Sequence, residues 1–170
     1  MLRWALALLG LSAVLLAAAC SSTSEAPSNS GNTADDIPCE AGERLTYHVH
    51  VHLAIFLEGQ PVTVPAGTGI RSNCIFWLHT HDTTGIIHVE APSQRSFSLG
   101  QLFAIWGQPL SSTQLLSKTV DSQHQIKAYV NGQEFTGDPS TIPLTAHAVI
   151  VLEYGPPFPA PQPFTFPAGL

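Results

Sequence analysis

The stretch from Trp77 to Glu90, W-L-H-T-H-D-T-T-G-I-I-H-V-E, leaves the backbone few options. Ile75 to His81 has the aromatic and apolar content of a strand, Asp82-Thr83-Thr84-Gly85 supplies turn chemistry, and Ile86 to Glu90 resumes an alternating pattern. A tight β-hairpin is expected. With Asp82 opposite Gly85, His81 faces Ile86, His79 faces His88 and Trp77 faces Glu90. Side chains alternate with period two, so these six residues share one side. Phe76, Leu78, Thr80, Ile87 and Val89 take the other, which reads as core. Opposed Cβ atoms lie ~5 Å apart and next-but-one neighbours on a strand ~6.5–7 Å apart. In that register His79, His81 and His88 form a triangle small enough for three imidazoles to converge on one ion.

A second stretch, Leu45 to Leu57 (L-T-Y-H-V-H-V-H-L-A-I-F-L), alternates strictly. Val49, Val51, Leu53, Ile55 and Leu57 form an apolar face, with His48, His50, His52, Ala54 and Phe56 on the other. Glu58-Gly59 is a two-residue turn, and Gln60 to Val64 returns as a partner strand whose Pro61 suits an edge. Beyond the first hairpin, Ser98-Leu99-Gly100-Gln101 matches a capping box, and Leu99, Leu102, Phe103, Ile105 and Trp106 mark a short amphipathic helix stopped by Gly107 and Pro109. Ser112 to Lys118 suits a further helical turn. Gln125 to Val130 reads as a strand, Asn131-Gly132 as a type I′ turn with Gln133 to Phe135 returning, and Ala146 to Tyr154 as a last apolar strand. The expected fold class is α+β, mainly antiparallel β-hairpins with one short helix and a β-grasp-like second half. Gly155 to Leu170 carries six prolines in sixteen residues and reads as an extended tail.

The N-terminus reads as a targeting signal. Met1-Leu2-Arg3 carries one positive charge, and Trp4 to Ala18 is a continuous apolar run shorter than the ~20 residues a membrane span needs. Ala17-Ala18-Ala19-Cys20 resembles the bacterial lipoprotein box, in which the cysteine is diacylated and becomes the mature N-terminus. Ala17 departs from it, since leucine is usual there, and Ala17-x-Ala19 also fits an ordinary signal-peptidase site. Either route exports the chain to the cell envelope. The organisation expected is a signal peptide over residues 1–19 and a lipidated N-terminus with a disordered tether over 20–38. A single His-rich domain follows over 39–155, then a Pro-rich tail over 156–170. With Cys20 used for the lipid, Cys39 and Cys74 are expected to pair in an oxidising compartment. Loss of Arg3 would leave five basic against twelve acidic residues, which argues against a nucleic-acid partner; the expected membrane contact is through the lipid alone.

The chemistry lies in eight histidines beside a single methionine. His48, His50, His52, His79, His81 and His88 all fall within the two hairpin-forming stretches, on the less apolar face of each strand. His124 and His147 stand apart and read as hydrogen-bonded surface residues. A sheet face can use histidine simply as its polar residue, but clustered imidazoles suppress one another's protonation, and serine and threonine would avoid that penalty. Metal binding explains the pattern better. The expected ligands are His50, His52, His79, His81 and His88, with His48 as an additional one. Because His48 to His52 spans ~13 Å on an extended strand, only an adjacent pair can join the hairpin site, which leaves room for one ion or for two close together. Glu90 and Asp82 are better placed to orient a ligating imidazole's second nitrogen than to bind the metal. Imidazole donors without thioether or free thiolate point to zinc or Cu(II).

Three functional classes follow. The first is an envelope lipoprotein that handles or senses zinc or copper. The second is an enzyme using a zinc-bound hydroxide: His79, His81 and His88 are similar in arrangement to the zinc site of the α-carbonic anhydrases, a shared geometry without kinship in the rest of the chain. The third is a metal-free interaction module whose histidines sense pH. Together, the blocks Y-H-V-H-V-H-L, W-L-H-T-H-D-T-T-G-I-I-H-V-E and F-S-L-G-Q-L-F-A-I-W-G, across Tyr47 to Tyr154, resemble a group of uncharacterised exported proteins of bacteria and archaea. That resemblance implies that the histidines act as a set and brings no activity with it.

Overall fold

The computed structural model describes Met1 and residues 34–170; the expected signal segment, Cys20 and most of the tether lie outside the described residues. After a 3-10 turn at Ala34–Asp36 come β1 (Cys39–Glu40), β2 (Tyr47–Leu57), β3 (Gln60–Val62), β4 (Ile75–Phe76), β5 (Leu78–His79) and β6 (Ile86–Ala91). Helix α1 (Leu99–Trp106) precedes β7 (Gln114–Leu115), β8 (Lys118–Thr119), β9 (Gln125–Val130), β10 (Gln133–Phe135) and β11 (Val149–Gly155). One seven-stranded sheet runs β10-β9-β11-β2-β6-β5, with β3 paired to the far end of β2. Only β11 against β2 is parallel. The α+β class with one short helix is as read from the sequence. Two antiparallel strands, a helix and a hairpin are followed by a last strand inserted parallel to the first.

Alternation in β2 decides which face is core. Val51, Leu53 and Ile55 are buried with Ile87, Val89, Ile150 and Leu152 from the neighbouring strands, and Leu99, Leu102 and Phe103 of α1 join the same cluster. The helix begins as expected: the Ser98 backbone N–H donates to Gln101 Oε1 at 2.9 Å. It ends in a Schellman turn, Gly107 at φ 76° with Gly107 N–H to Ala104 O and Gln108 N–H to Phe103 O. Glu58-Gly59 and Asn131-Gly132 both have positive φ at each position, as type I′ hairpins require.

Several local details differ from the sequence reading. Ser112 to Lys118 is part of the small β7–β8 hairpin, not a helical turn, because Leu116 at φ 52° reverses the chain. The last strand starts at Val149, since His147 at φ 58° sits in a turn closed by Ala148 N–H to Thr145 O. The expected strand Ile75 to His81 is divided at Trp77. Its first piece, β4, pairs with β1 beside the Cys39–Cys74 disulfide, which closes a separation of 35 residues; a loop of that length stabilises by roughly 3–4 kcal/mol. Its second piece, β5, pairs with β6, and its outer edge is covered by the loop before it, through Thr80 N–H to Thr68 O and Gly67 N–H to Thr80 O.

The proline-rich tail has no regular element but is not free of the sheet. Phe164 stacks on His52 with centroids 3.6 Å apart, Phe166 stacks on His147, and His147 Nε2–H donates to the Leu170 carbonyl at 3.0 Å. Among the described residues no helix is long and apolar enough to cross a membrane.

Candidate metal centre

The second face of β2, β6 and β5 carries the histidines. β6 lies between the other two strands, so His88 has His50 directly opposite on one side and His79 directly opposite on the other. One step along, Glu90 faces His48, and the Glu90 N–H continues the ladder to Trp77 O at 2.8 Å. The predicted His79–His88 register is observed. Pairing stops there, so His81 leaves the strand and bends back until its Nε2 is 3.2 Å from His79 Nε2.

His79 is fully buried, and its Nδ1–H donates to the Phe76 carbonyl at 2.9 Å. That hydrogen bond sets the tautomer and leaves the Nε2 lone pair facing the cluster, the way a ligating imidazole is commonly oriented. Donors around a tetrahedral ion at 2.0–2.1 Å are separated by roughly 3.3 Å, close to the 3.2 Å between the His79 and His81 nitrogens. Glu90 Oε1 lies 3.4 Å from His88 Nδ1, 3.9 Å from His79 Nε2 and 3.2 Å from His48 Nε2. Glu90 is buried and its Oε2 has no hydrogen-bond partner, nor have His50 Nε2 and His88 Nδ1. Buried polar atoms without partners are costly, and His52 Nδ1 and both Glu153 carboxyl oxygens share that state, so what distinguishes this face is the convergence of its donor atoms.

Two groups of donor atoms result, each within 4.8 Å of one another: His79, His81, His88 and Glu90, and His48, His50 and His88. Either can hold a metal ion. Of the residues singled out in the sequence, His48, His50, His79, His81, His88 and Glu90 are brought together. His52 is not. Its ring stacks against Phe164, outside both groups. Asp82 uses Oδ1 to accept from the Thr84 N–H at 2.8 Å and so shapes its own turn. His124 is held by Asp121 at 2.9 Å, and His147 by the tail. The sequence reading missed Glu43, whose Oε1 is 3.3 Å from His81 Nε2. It arrives on the segment after Cys39, placed there by the β1–β4 pairing, and no local pattern marks it.

Burial keeps His50, His79 and His88 neutral. Burial holds His79 down to about 4, partly opposed by its bond to Phe76, and burial with the surrounding histidines holds His88 down to about 3. Burial and the nearby Glu43 push Glu90 up to about 7. Neutral imidazoles are the state a metal needs.

These shifts predict an acid-labile metal-free fold. Between pH ~6.5 and ~4 the unfolded chain binds protons at His79 and His88 that the folded chain refuses, so stability falls on acidification. Glu90 acts oppositely between ~4.5 and ~7, because there the folded state holds the extra proton. His50 and His52, also held down by burial, add to the loss, and buried Glu153, held up, acts with Glu90; the balance is a net loss of stability from pH ~6.5 to ~4.5. Urea unfolding of EDTA-treated protein at the two pH values checks this; an unchanged midpoint would overturn it.

Comparison with protein-family models, with curated proteins and with solved structures finds no match to this chain.

Proposed function

We propose that this is an exported, cell-envelope lipoprotein, anchored through Cys20, that binds zinc or copper for metal handling or sensing. The observation that carries the reading is His79: a fully buried imidazole with Nδ1 committed to Phe76 O and Nε2 pointed at a second imidazole nitrogen 3.2 Å away. Without metal the His81 Nε2–H donates to the His79 Nε2 lone pair; an ion would take the place of this proton and draw on both nitrogens at a separation that suits a tetrahedral site. With His81, His88 and Glu90 the ion would have four protein donors, the closed arrangement of binding sites, whereas a catalytic site keeps a position open for water. That favours binding over zinc-hydroxide catalysis at this group. Imidazole and carboxylate donors suit zinc and Cu(II), and a chain with one methionine and its Cys39 and Cys74 paired has little to offer Cu(I).

The test is metal content of the full chain, exported in a bacterial host and purified without chelating resin. It is compared with a variant carrying His79→Ala, His81→Ala and His88→Ala. Near-stoichiometric zinc or copper in the parent and none in the variant is expected. Parent protein that carries no metal and takes up neither ion when offered would sink the proposal and leave the pH-sensing module in its place.

A further inference from the structure

We propose that the same face holds a second ion, bound by His48, His50 and His88, and that His88 is shared between the two ions. This rests on the metal-binding reading above and goes beyond it in number and in arrangement.

The sheet order makes the case. His50, His88 and His79 form a row across β2, β6 and β5, with His88 in the middle. Its ring centroid is 4.6 Å from that of His50 and 5.3 Å from that of His79, and these neighbours stand on strands at opposite edges of β6. His48 supports the first side, 4.5 Å from His50, and His81 the second, 4.8 Å from His79. Donors on one ion at 2.0–2.1 Å can be at most roughly 4.2 Å apart. The donor atoms of His48 and His50 belong to the second group and not to the first, so one ion held by His79 and His81 leaves them unused.

Of those two, His48 is exposed but His50 is not an ordinary surface histidine. His50 is buried to within 5 % of full enclosure and its Nε2 has no partner, while both neighbouring rings are imidazoles. A structural histidine at that depth would be hydrogen-bonded to something. His88 is the one residue common to both donor groups. An imidazole has two ring nitrogens on different edges and can give one to each ion; binding at both releases its N–H proton to solvent. The second ion would have three protein donors and a position left for solvent on the side of half-exposed His48, the open arrangement that the first lacks.

The experiment is Cu(II) titration of the EDTA-treated full chain, with bound copper counted after desalting and the electron paramagnetic resonance signal integrated at each step. The expected result is two copper ions per chain, with the spin signal rising to one equivalent and then falling as the second ion couples to the first through His88. His50→Ala and, separately, the more exposed His48→Ala are expected to bind one ion with a full one-spin signal. His81→Ala is also expected to drop to one ion, at the other group. Two ions giving two full spins would overturn the sharing of His88. A single ion in the parent, unaffected by His50→Ala or His48→Ala, would overturn the second site and leave the first. No copper and no zinc at all would overturn the metal-binding reading itself.

Discussion

Changing His79 alone to alanine is expected to weaken zinc or copper binding at the His79–His81–His88–Glu90 group by more than about 100-fold, leaving at most the ion on His48, His50 and His88, while His52→Ala changes binding at either group by less than about 2-fold. Altering even a group that only orients a ligand commonly costs 10–100-fold, and His79 is a donor as well as the most rigidly held member of its set. Its orientation is imposed from behind by Phe76 O and its position by the pairing with His88. His52 belongs to the same H-x-H-x-H run and looks equivalent in one dimension. In three it is beneath Phe164 and outside both donor groups. Competition titration against a chromophoric chelator measures both, with circular dichroism to confirm folding. Equal losses at the two positions would show that the run acts as a loose metal-attracting tract and not as a built site.

The second large effect is expected from a residue with no chemistry of its own. Gly85→Ala should destabilise the protein by at least about 3 kcal/mol, against about 1 kcal/mol for Gly107→Ala. Both glycines have φ near +80°, where a Cβ costs roughly 1–2 kcal/mol. They differ in what that Cβ meets. At Gly107 there is nothing within 4 Å, whereas at Gly85 it would lie 2.4 Å from the Leu53 carbonyl oxygen. Relief requires moving backbone, because Gly85 O also accepts from Leu53 N–H at 2.9 Å. β6 would be pushed from β2, spreading His88 from His50. The loss is a large share of a typical 5–15 kcal/mol total. Urea midpoints measure the stabilities, and copper stoichiometry tests whether the His48–His50–His88 group suffers first. Equal losses for the two glycine variants would mean that the β2–β6 contact yields without strain.

Much of this architecture is local in origin. Strict alternation in Tyr47 to Leu57 sets which side of β2 is core, and the turn residues of Asp82 to Gly85 bring His79 opposite His88. The capping box and Gly107 delimit the helix, and positive-φ residues close the two I′ hairpins. Each rests on physics acting over a few residues, namely side-chain periodicity, φ preference and capping. Local physics was misleading where a neighbour distant in sequence intervened. Trp77 interrupts a run that reads as one strand, because one half is taken by β1 and the other by β6.

What the chain determines by itself is thus a set of strands with histidines on their polar faces and one pair, His79 and His88, in register. Which other histidines join them was decided by tertiary structure. Nothing in H-V-H-V-H distinguishes His48 and His50 from His50 and His52, since a one-dimensional repeat looks the same one step along. The choice is made when β2 pairs with β6, from Tyr47 opposite Ala91 to His52 opposite Ile86, and when Phe164 of the tail comes to rest on His52. Period two prevents slips by one residue, which would turn the histidines into the core, but permits slips by two; only the fit of distant apolar side chains selects among those. The same long-range packing brings in Glu43 and puts Glu90 among the donors. That burial is what turns a row of polar side chains into neutral imidazoles with their lone pairs facing one another.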